Sequence, residues 1–168
     1  HAFIFSGGSI MPVIDKLYNS SIKYTVNSHE QNCGHAATGY AKTSNKTGVV
    51  MVTSGPGITN MITPMLDATN DSTPLVIFSG QVPLKAVGSN AFQEAPAVEL
   101  SKCVTKWSYQ IQDVREIDII IDTAFKVAAP FRSVVEEAAL ADVFGTLEVL
   151  VEEICTFSYG KPKELDTN

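Results

Sequence analysis

Apolar residues along this chain fall alternately into short unbroken runs and into helical spacing, a pattern that predicts strands separated by helices. Ala2 to Phe5 reads as a short apolar strand, interrupted by Ser6-Gly7-Gly8-Ser9. Ile10, Val13, Ile14 and Leu17 then recur at helical intervals, predicting a first helix that ends near Tyr18 and Asn19. Ile22 to Val26 is short, alternating and β-rich, and reads as the next strand. Ser28-His29-Glu30-Gln31 carries a Ser-x-x-Gln capping box, so a helix capped by the Ser28 hydroxyl is expected directly after it. Cys33, Ala36, Ala37, Tyr40 and Ala41 give that helix one face of mostly small side chains, and Glu30 falls in its first turn.

The stretch Gly48 to Asn60 organises the rest. Val49 to Val52 is an unbroken apolar run that suits a strand covered on both faces. Ser54, Gly55, Pro56 and Gly57 then make a turn that frees the backbone for tight angles, and helical periodicity resumes from Ile58 to about Ala68. A strand, a glycine turn and a helix N-terminus in that order build a ligand site at the carboxyl edge of an open sheet.

A polar turn follows at Thr69-Asn70-Asp71-Ser72-Thr73, and Leu75 to Ser79 reads as a further buried strand. Gly80 to Ala97 has no clear period; loops of this length inside a domain are usually functional or mobile. Val104 to Ile111 reads as a strand and Val114 to Ala128 as a helix. Strands alternating with helices at this spacing imply right-handed crossovers and a doubly wound α/β fold, its sheet mostly parallel and flanked by helices. The first 129 residues form the body of one domain. Over 130–157 a helix is expected at Val134 to Phe144, with Leu147 to Val151 either a last strand or a continuation of that helix. Residues 158–168 read as a polar tail.

Composition narrows the function. Hydrophobic residues make up 45% of the 168 and charged residues 18%, a globular balance with no apolar run long enough to span a membrane. The net charge of −6, without any Lys or Arg cluster, argues against nonspecific nucleic-acid binding. Cys33, Cys103 and Cys155 lie far apart without metal-type spacing, so reduced, buried thiols in an intracellular protein, cytoplasmic or organellar, are expected rather than disulfides or a metal site. The chain opens on His1 with strand pattern already at Ala2, so the lack of a secretory or transit segment carries little weight.

Glu30 is the carboxylate that stands out, because it follows a strand at the start of a helix of small residues. It either faces a ligand at the sheet edge or simply complements the helix dipole. His29 and His35 fall on different helix faces and read as packed or capping residues rather than a metal pair. Gly7-Gly8, Gly55-Pro56-Gly57 and Gly80-Gln81-Val82-Pro83 all follow strands, and with Glu30 they describe a ligand-facing surface. None of them is a Walker or dinucleotide-type phosphate loop. Ala91-Phe92-Gln93-Glu94 either lines a pocket or pins its loop to the core, and Lys106-Trp107 lies on the strand expected at 104–111.

Taken together, Ser6-Gly7-Gly8, His29-Glu30-Gln31, Gly34 to Ala41, Thr53 to Asn60, Asp67 to Pro74, Gly80 to Pro83, Ala91 to Glu94 and Thr105-Lys106-Trp107 resemble one family. The chain resembles the N-terminal, pyrimidine-binding domain of thiamine-diphosphate enzymes, and most closely that of the acetolactate synthase large subunit. The resemblance implies that Glu30 hydrogen-bonds a ring nitrogen of the cofactor's aminopyrimidine and promotes the imino tautomer that takes the thiazolium proton. By the same resemblance Glu30 and Gln93 are the catalytic candidates. Glu30, Thr53, Pro56, Gly57 and Asn60 would line the pyrimidine site, and Gly7, Gly8, Phe92, Gln93 and Lys106 the substrate channel.

It further implies thiamine diphosphate as cofactor, with Mg²⁺ and possible FAD held on domains not recognisable here, and no metal ligand in this chain. The implied partners are 2-oxo acids such as pyruvate, and a pyrophosphate-binding domain of another subunit in a homodimer or larger assembly. Nucleic acid and membrane are not implied. Ser6, Ser28, Asn32-Cys33 and Ser89-Asn90 depart from the family's usual residues, and its Gly-Arg-Pro-Gly-Pro strand is not recognisable after Ala129. A noncatalytic module of the same fold and another thiamine-diphosphate decarboxylase or oxidase stay open as alternatives.

Overall fold

Strand β1 (Ala2–Ile4) sends Ala2 and Ile4 to one side of a sheet and Phe3 to the other, and all three are buried. That requires helices on both sides. The computed structural model, which describes residues 1–129, supplies them. Four parallel strands, β1, β2 (Tyr24–Val26), β3 (Gly48–Val52) and β4 (Leu75–Ser79), lie in the order β2-β1-β3-β4. Ala2 stands opposite Tyr24 on one side and Val49 on the other, and β3 and β4 pair from Gly48 with Leu75 to Val52 with Ser79. The doubly wound α/β expectation therefore holds for the described residues.

On one face α1 (Met11–Tyr18) and α6 (Ile117–Ala128) pack Val13, Leu17, Ile117, Ile121 and Phe125 against Ala2, Ile4, Met51 and Val76. On the other, α2 (Glu30–Ser44), α3 (Pro56–Thr59) and α4 (Ile62–Asn70) bury Cys33, Ala37, Ile58, Met61 and Met65 against Phe3, Val50 and Val52. The small-residue face of α2 has a direct use. A Cβ added at Gly34 would stand 2.4 Å from Pro64 Cβ, so α2 and α4 approach too closely for any side chain there. A further short helix, α5 (Ala97–Lys102), follows the long loop.

Three expectations are corrected. Val104 to Ile111 is not a strand. Hydroxyls hold it in a compact turn instead: Thr105 Oγ1 donates to the Ser101 carbonyl at 2.9 Å, and Ser108 Oγ lies 2.9 Å from Ser101 Oγ and 2.8 Å from Thr105 Oγ1. Lys106 and Trp107 thus sit on a loop, where Trp107 stacks on Tyr109 with ring centroids 5.8 Å apart.

The helix expected over 58–68 is two helices, because Pro64 has no N–H to offer the Asn60 carbonyl four residues back. The cap of α2 is His29, not Ser28: His29 is extended, at φ −161° and ψ 145°, and its Nδ1 accepts from the Gln31 amide at 3.1 Å. Residues 114–116 form a 3-10 turn before α6. The readings at Val134 to Phe144, Leu147 to Val151 and 158–168 lie outside the described residues.

Candidate functional site

Strand order reverses between β1 and β3, and in an open parallel sheet a crevice opens at the carboxyl ends of the strands where that happens. The loops leaving β1 and β3 carry Gly7-Gly8 and Ser54 to Gly57. They touch closely. A Cβ on Gly7 would fall 2.4 Å from Thr53 Cβ, so the first loop can lie this near only with glycine there. Gly55 adopts φ +56°, a left-handed backbone that glycine takes without steric cost, and this turns the chain sharply from β3 into α3.

Ser9 ties the loops together. Its Oγ accepts from the Ser54 amide at 2.8 Å and lies 3.0 Å from Thr53 Oγ1, while a Cβ on Gly80 would meet that same oxygen at 2.1 Å. Ser79 adds a hydrogen bond from its hydroxyl to the Thr53 carbonyl at 3.2 Å. The sequence reading passed over Ser9; a hydroxyl directly after a glycine pair at a strand end was the available signal.

Glu30 opens α2 beside this crevice, and although it is a carboxylate it is only 5% exposed. Asn60 Nδ2 donates to its Oε2 at 3.0 Å, and Oε1 has no hydrogen-bond donor among the described residues. The break at Pro64 explains Asn60's position, since it ends α3 instead of continuing a helix. Burial pushes the thiol of Cys33, one turn along α2, up to about 11, and the nearby Glu30 charge adds to the effect. His29 caps α2, and His35 Nδ1 lies 3.7 Å from Asp67 Oδ2. Among the described residues no three His, Cys, Asp or Glu side chains converge on a common point.

The second group of expected site residues lies on the far side of the glycine turn. Gly8, Phe92, Gln93 and Lys106 line one cavity of about 1180 Å³, together with Ser54 and β4, an edge strand of the described sheet. Glu30, Thr53, Pro56, Gly57, Asn60 and Gly7 do not line it. The two groups meet at Gly55, where an added Cβ would fall 2.6 Å from the Gln93 carbonyl oxygen. Phe92 is 89% exposed and is therefore no anchor for its loop. Glu94 does not face the cavity as an acid: its Oε1 accepts from the Gly88 amide and its Oε2 from the Ala91 amide at 3.0 Å. These amides, Gly88 first, hold the Glu94 carboxyl below its ordinary range. A smaller hollow of about 240 Å³, lined by Lys42, Asn45 and Asp71, opens near the turns that precede β3 and β4, away from these loops.

Residues 1–100 match the family described as "Thiamine pyrophosphate enzyme, N-terminal TPP binding domain". This chain belongs to that family. Its TPP-binding domain is 50% identical over 133 residues to the acetolactate synthase, mitochondrial, of Schizosaccharomyces pombe, covering 79% of this chain and 20% of that protein. It is 49% identical over 133 residues to the acetolactate synthase catalytic subunit, mitochondrial, of Aspergillus candidus, covering 79% and 19%. With the acetolactate synthase large subunit of Lactococcus lactis it shares 43% identity over 148 residues, covering 88% and 26%. The TPP-binding domain thus spans about a fifth to a quarter of the curated relatives it matches. Among its described residues no helix is long and apolar enough to cross a membrane.

Proposed function

We propose that this chain is the pyrimidine-binding domain, 1–129 forming its body, of an acetolactate synthase-like enzyme. That enzyme decarboxylates pyruvate and joins the remainder to a second 2-oxo acid, in branched-chain amino-acid biosynthesis. The observation that carries this reading is Glu30: a buried carboxylate at the carboxyl edge of the sheet, aimed by Asn60, with one oxygen left without a donor. The oxygen that Asn60 leaves open is not sealed from solvent, so it can take a further partner, and a ring nitrogen of an aminopyrimidine that shares a proton supplies one.

The residues present fit that group. Glu30 would hold and exchange the proton at its free oxygen, Asn60 would fix the carboxyl plane, and Thr53, Pro56 and Gly57 would let the backbone approach a flat ring. Thiamine diphosphate, when bound, supplies the carbon nucleophile that attacks the 2-oxo acid. Gly7, Gly8, Phe92, Gln93 and Lys106 would border the substrate's path, with Gln93 nearest the turn. Mg²⁺, the diphosphate and FAD would sit on other domains, the diphosphate on a second subunit of a homodimer or larger assembly inside the cell.

The test is Glu30→Gln in the full-length protein, assayed with pyruvate and added thiamine diphosphate and Mg²⁺. Loss of acetolactate formation with an unchanged melting temperature is the expected result. Normal carboligation by that variant overturns the role of Glu30; acetaldehyde or acetate from the wild-type protein overturns the choice of reaction.

A further inference from the structure

The 88–94 loop holds three residues in left-handed backbone: Gly88 at φ +85°, Asn90 at +57° and Gln93 at +57°. Glycine takes this conformation freely and asparagine tolerates it, but for glutamine it is strained and persists only where the surroundings over-determine it. No helix or strand runs through the loop, and Phe92 at its tip is almost fully solvated. Ser89 ties its start back to the Ala86 carbonyl, through its hydroxyl at 2.6 Å, but the side chain that spans the loop is Glu94. The two Glu94 oxygens divide the work, Oε1 accepting from the Gly88 amide at the start of the loop and Oε2 from the Ala91 amide at its middle, while the Glu94 amide donates back to the Ala91 carbonyl at 2.9 Å. The carboxylate acts as a clasp across the neck of the loop. With the neck closed, Phe92 is held out over the cavity and the Gln93 carbonyl is set against Gly55.

We propose that Glu94 is a positioning residue: it touches neither cofactor nor substrate, and it sets the affinity for the 2-oxo acid by holding Phe92 and Gln93 at the cavity mouth. This rests on the reading that the cavity carries the substrate. A residue that only stabilised the domain would lower the melting temperature and leave KM alone. A residue that holds this loop in place changes the loop and KM together, and because the loop carries Gln93, a catalytic candidate, kcat falls with them, though less than KM rises since Glu30 and Asn60 stay where they were.

The experiment compares wild type, Glu94→Ala and Glu94→Gln in the full-length protein, by hydrogen–deuterium exchange of the 88–94 segment and by steady-state kinetics with pyruvate. Glu94→Ala is expected to speed exchange of this segment by about tenfold or more, as befits loss of two charge-assisted hydrogen bonds. KM for pyruvate should rise by about fivefold or more, with a smaller fall in kcat from displacement of Gln93. Glu94→Gln keeps one acceptor oxygen and should fall between. Unchanged exchange in Glu94→Ala shows that Glu94 is not the clasp and overturns the proposal. Faster exchange with unchanged KM overturns its second half, the control of affinity. Failure of the wild-type protein to bind thiamine diphosphate by calorimetry would instead strike the functional reading itself, whatever Glu94 does.

Discussion

Asn60 donates to Glu30 at 3.0 Å across thirty positions of sequence, joining the end of α3 to the first residue of α2. Removing the donor leaves a buried carboxylate unsupported, which costs about 1–3 kcal/mol. Asn60→Ala in the full-length protein is therefore expected to lower acetolactate formation about tenfold or more. Asn60→Asp, which sets a second carboxylate against the first, should lower it further. A steady-state assay with pyruvate checks both, and wild-type rates in Asn60→Asp would show that the carboxyl needs no donor.

Helix α2 offers a matched pair of substitutions. Gly34→Ala drives a methyl into Pro64 and should destabilise the domain by about 1–3 kcal/mol. Gly39→Ala, on the same helix, meets nothing within 4 Å and should stabilise it by about 0.5–1 kcal/mol through the entropy of the unfolded chain. Urea unfolding of the two variants gives the signs. If both destabilise equally, the α2–α4 contact is not close-packed.

The thiols should differ in reactivity. Cys33 is fully buried, as expected, and its thiol is pushed up to about 11, whereas Cys103 is exposed, against the expectation of burial, because it ends α5 at the start of the 104–111 loop. At neutral pH, iodoacetamide should label Cys103 within minutes and Cys33 only after denaturation, as peptide mass mapping would show. Labelling of native Cys33 would mean that the sheet and α2 separate readily.

Acid should release the turn before α6 in a defined window. Asp113 accepts from the Arg115 amide and from Arg115 Nε, each at 2.9 Å, and the Arg115 guanidinium and amide bring its carboxyl down to about 2. A carboxylate whose value is lowered by folding contributes stability above its unfolded value, near 3.8, and loses that contribution as pH falls through about 2. Protection of the Arg115 amide, followed by NMR, should persist at pH 4 and fade toward pH 2. Loss already at pH 4 would refute the pairing.

The parts of the fold that could be read from the sequence were those whose cause is local. The β3 run, the glycine turn and Pro56 lie within ten residues, and their order alone marks a strand, a turn and a helix start. Glu30 could be placed at the edge for the same reason. Ser9 could not be read as the tie between loops, because its partners, Thr53 and Ser54, are more than forty positions away. The 104–111 stretch misled because its apolar and polar residues alternate as in a strand, while Thr105 captures the Ser101 carbonyl and the hydroxyls of Ser101, Thr105 and Ser108 bond to one another, folding the chain into a turn. The break between α3 and α4 was visible in Pro64, whose effect falls four residues upstream on the carbonyl of Asn60.

The order β2-β1-β3-β4 places the earliest of the described strands in the interior of the described sheet. A nascent chain that folds from its N-terminus meets no long wait here. Strand β2 pairs with β1 on one side, β3 closes the other, and β4, the last of the described strands, is added to an edge that already exists. The loops at the carboxyl edge are laid down in the same sequence, with Gly7 first, Ser54 next and Gly80 after them. Once α3 has emerged, Glu30 and Asn60 can meet while β4 is still being synthesised, so the carboxylate finds its partner before the cavity beside β4 has walls.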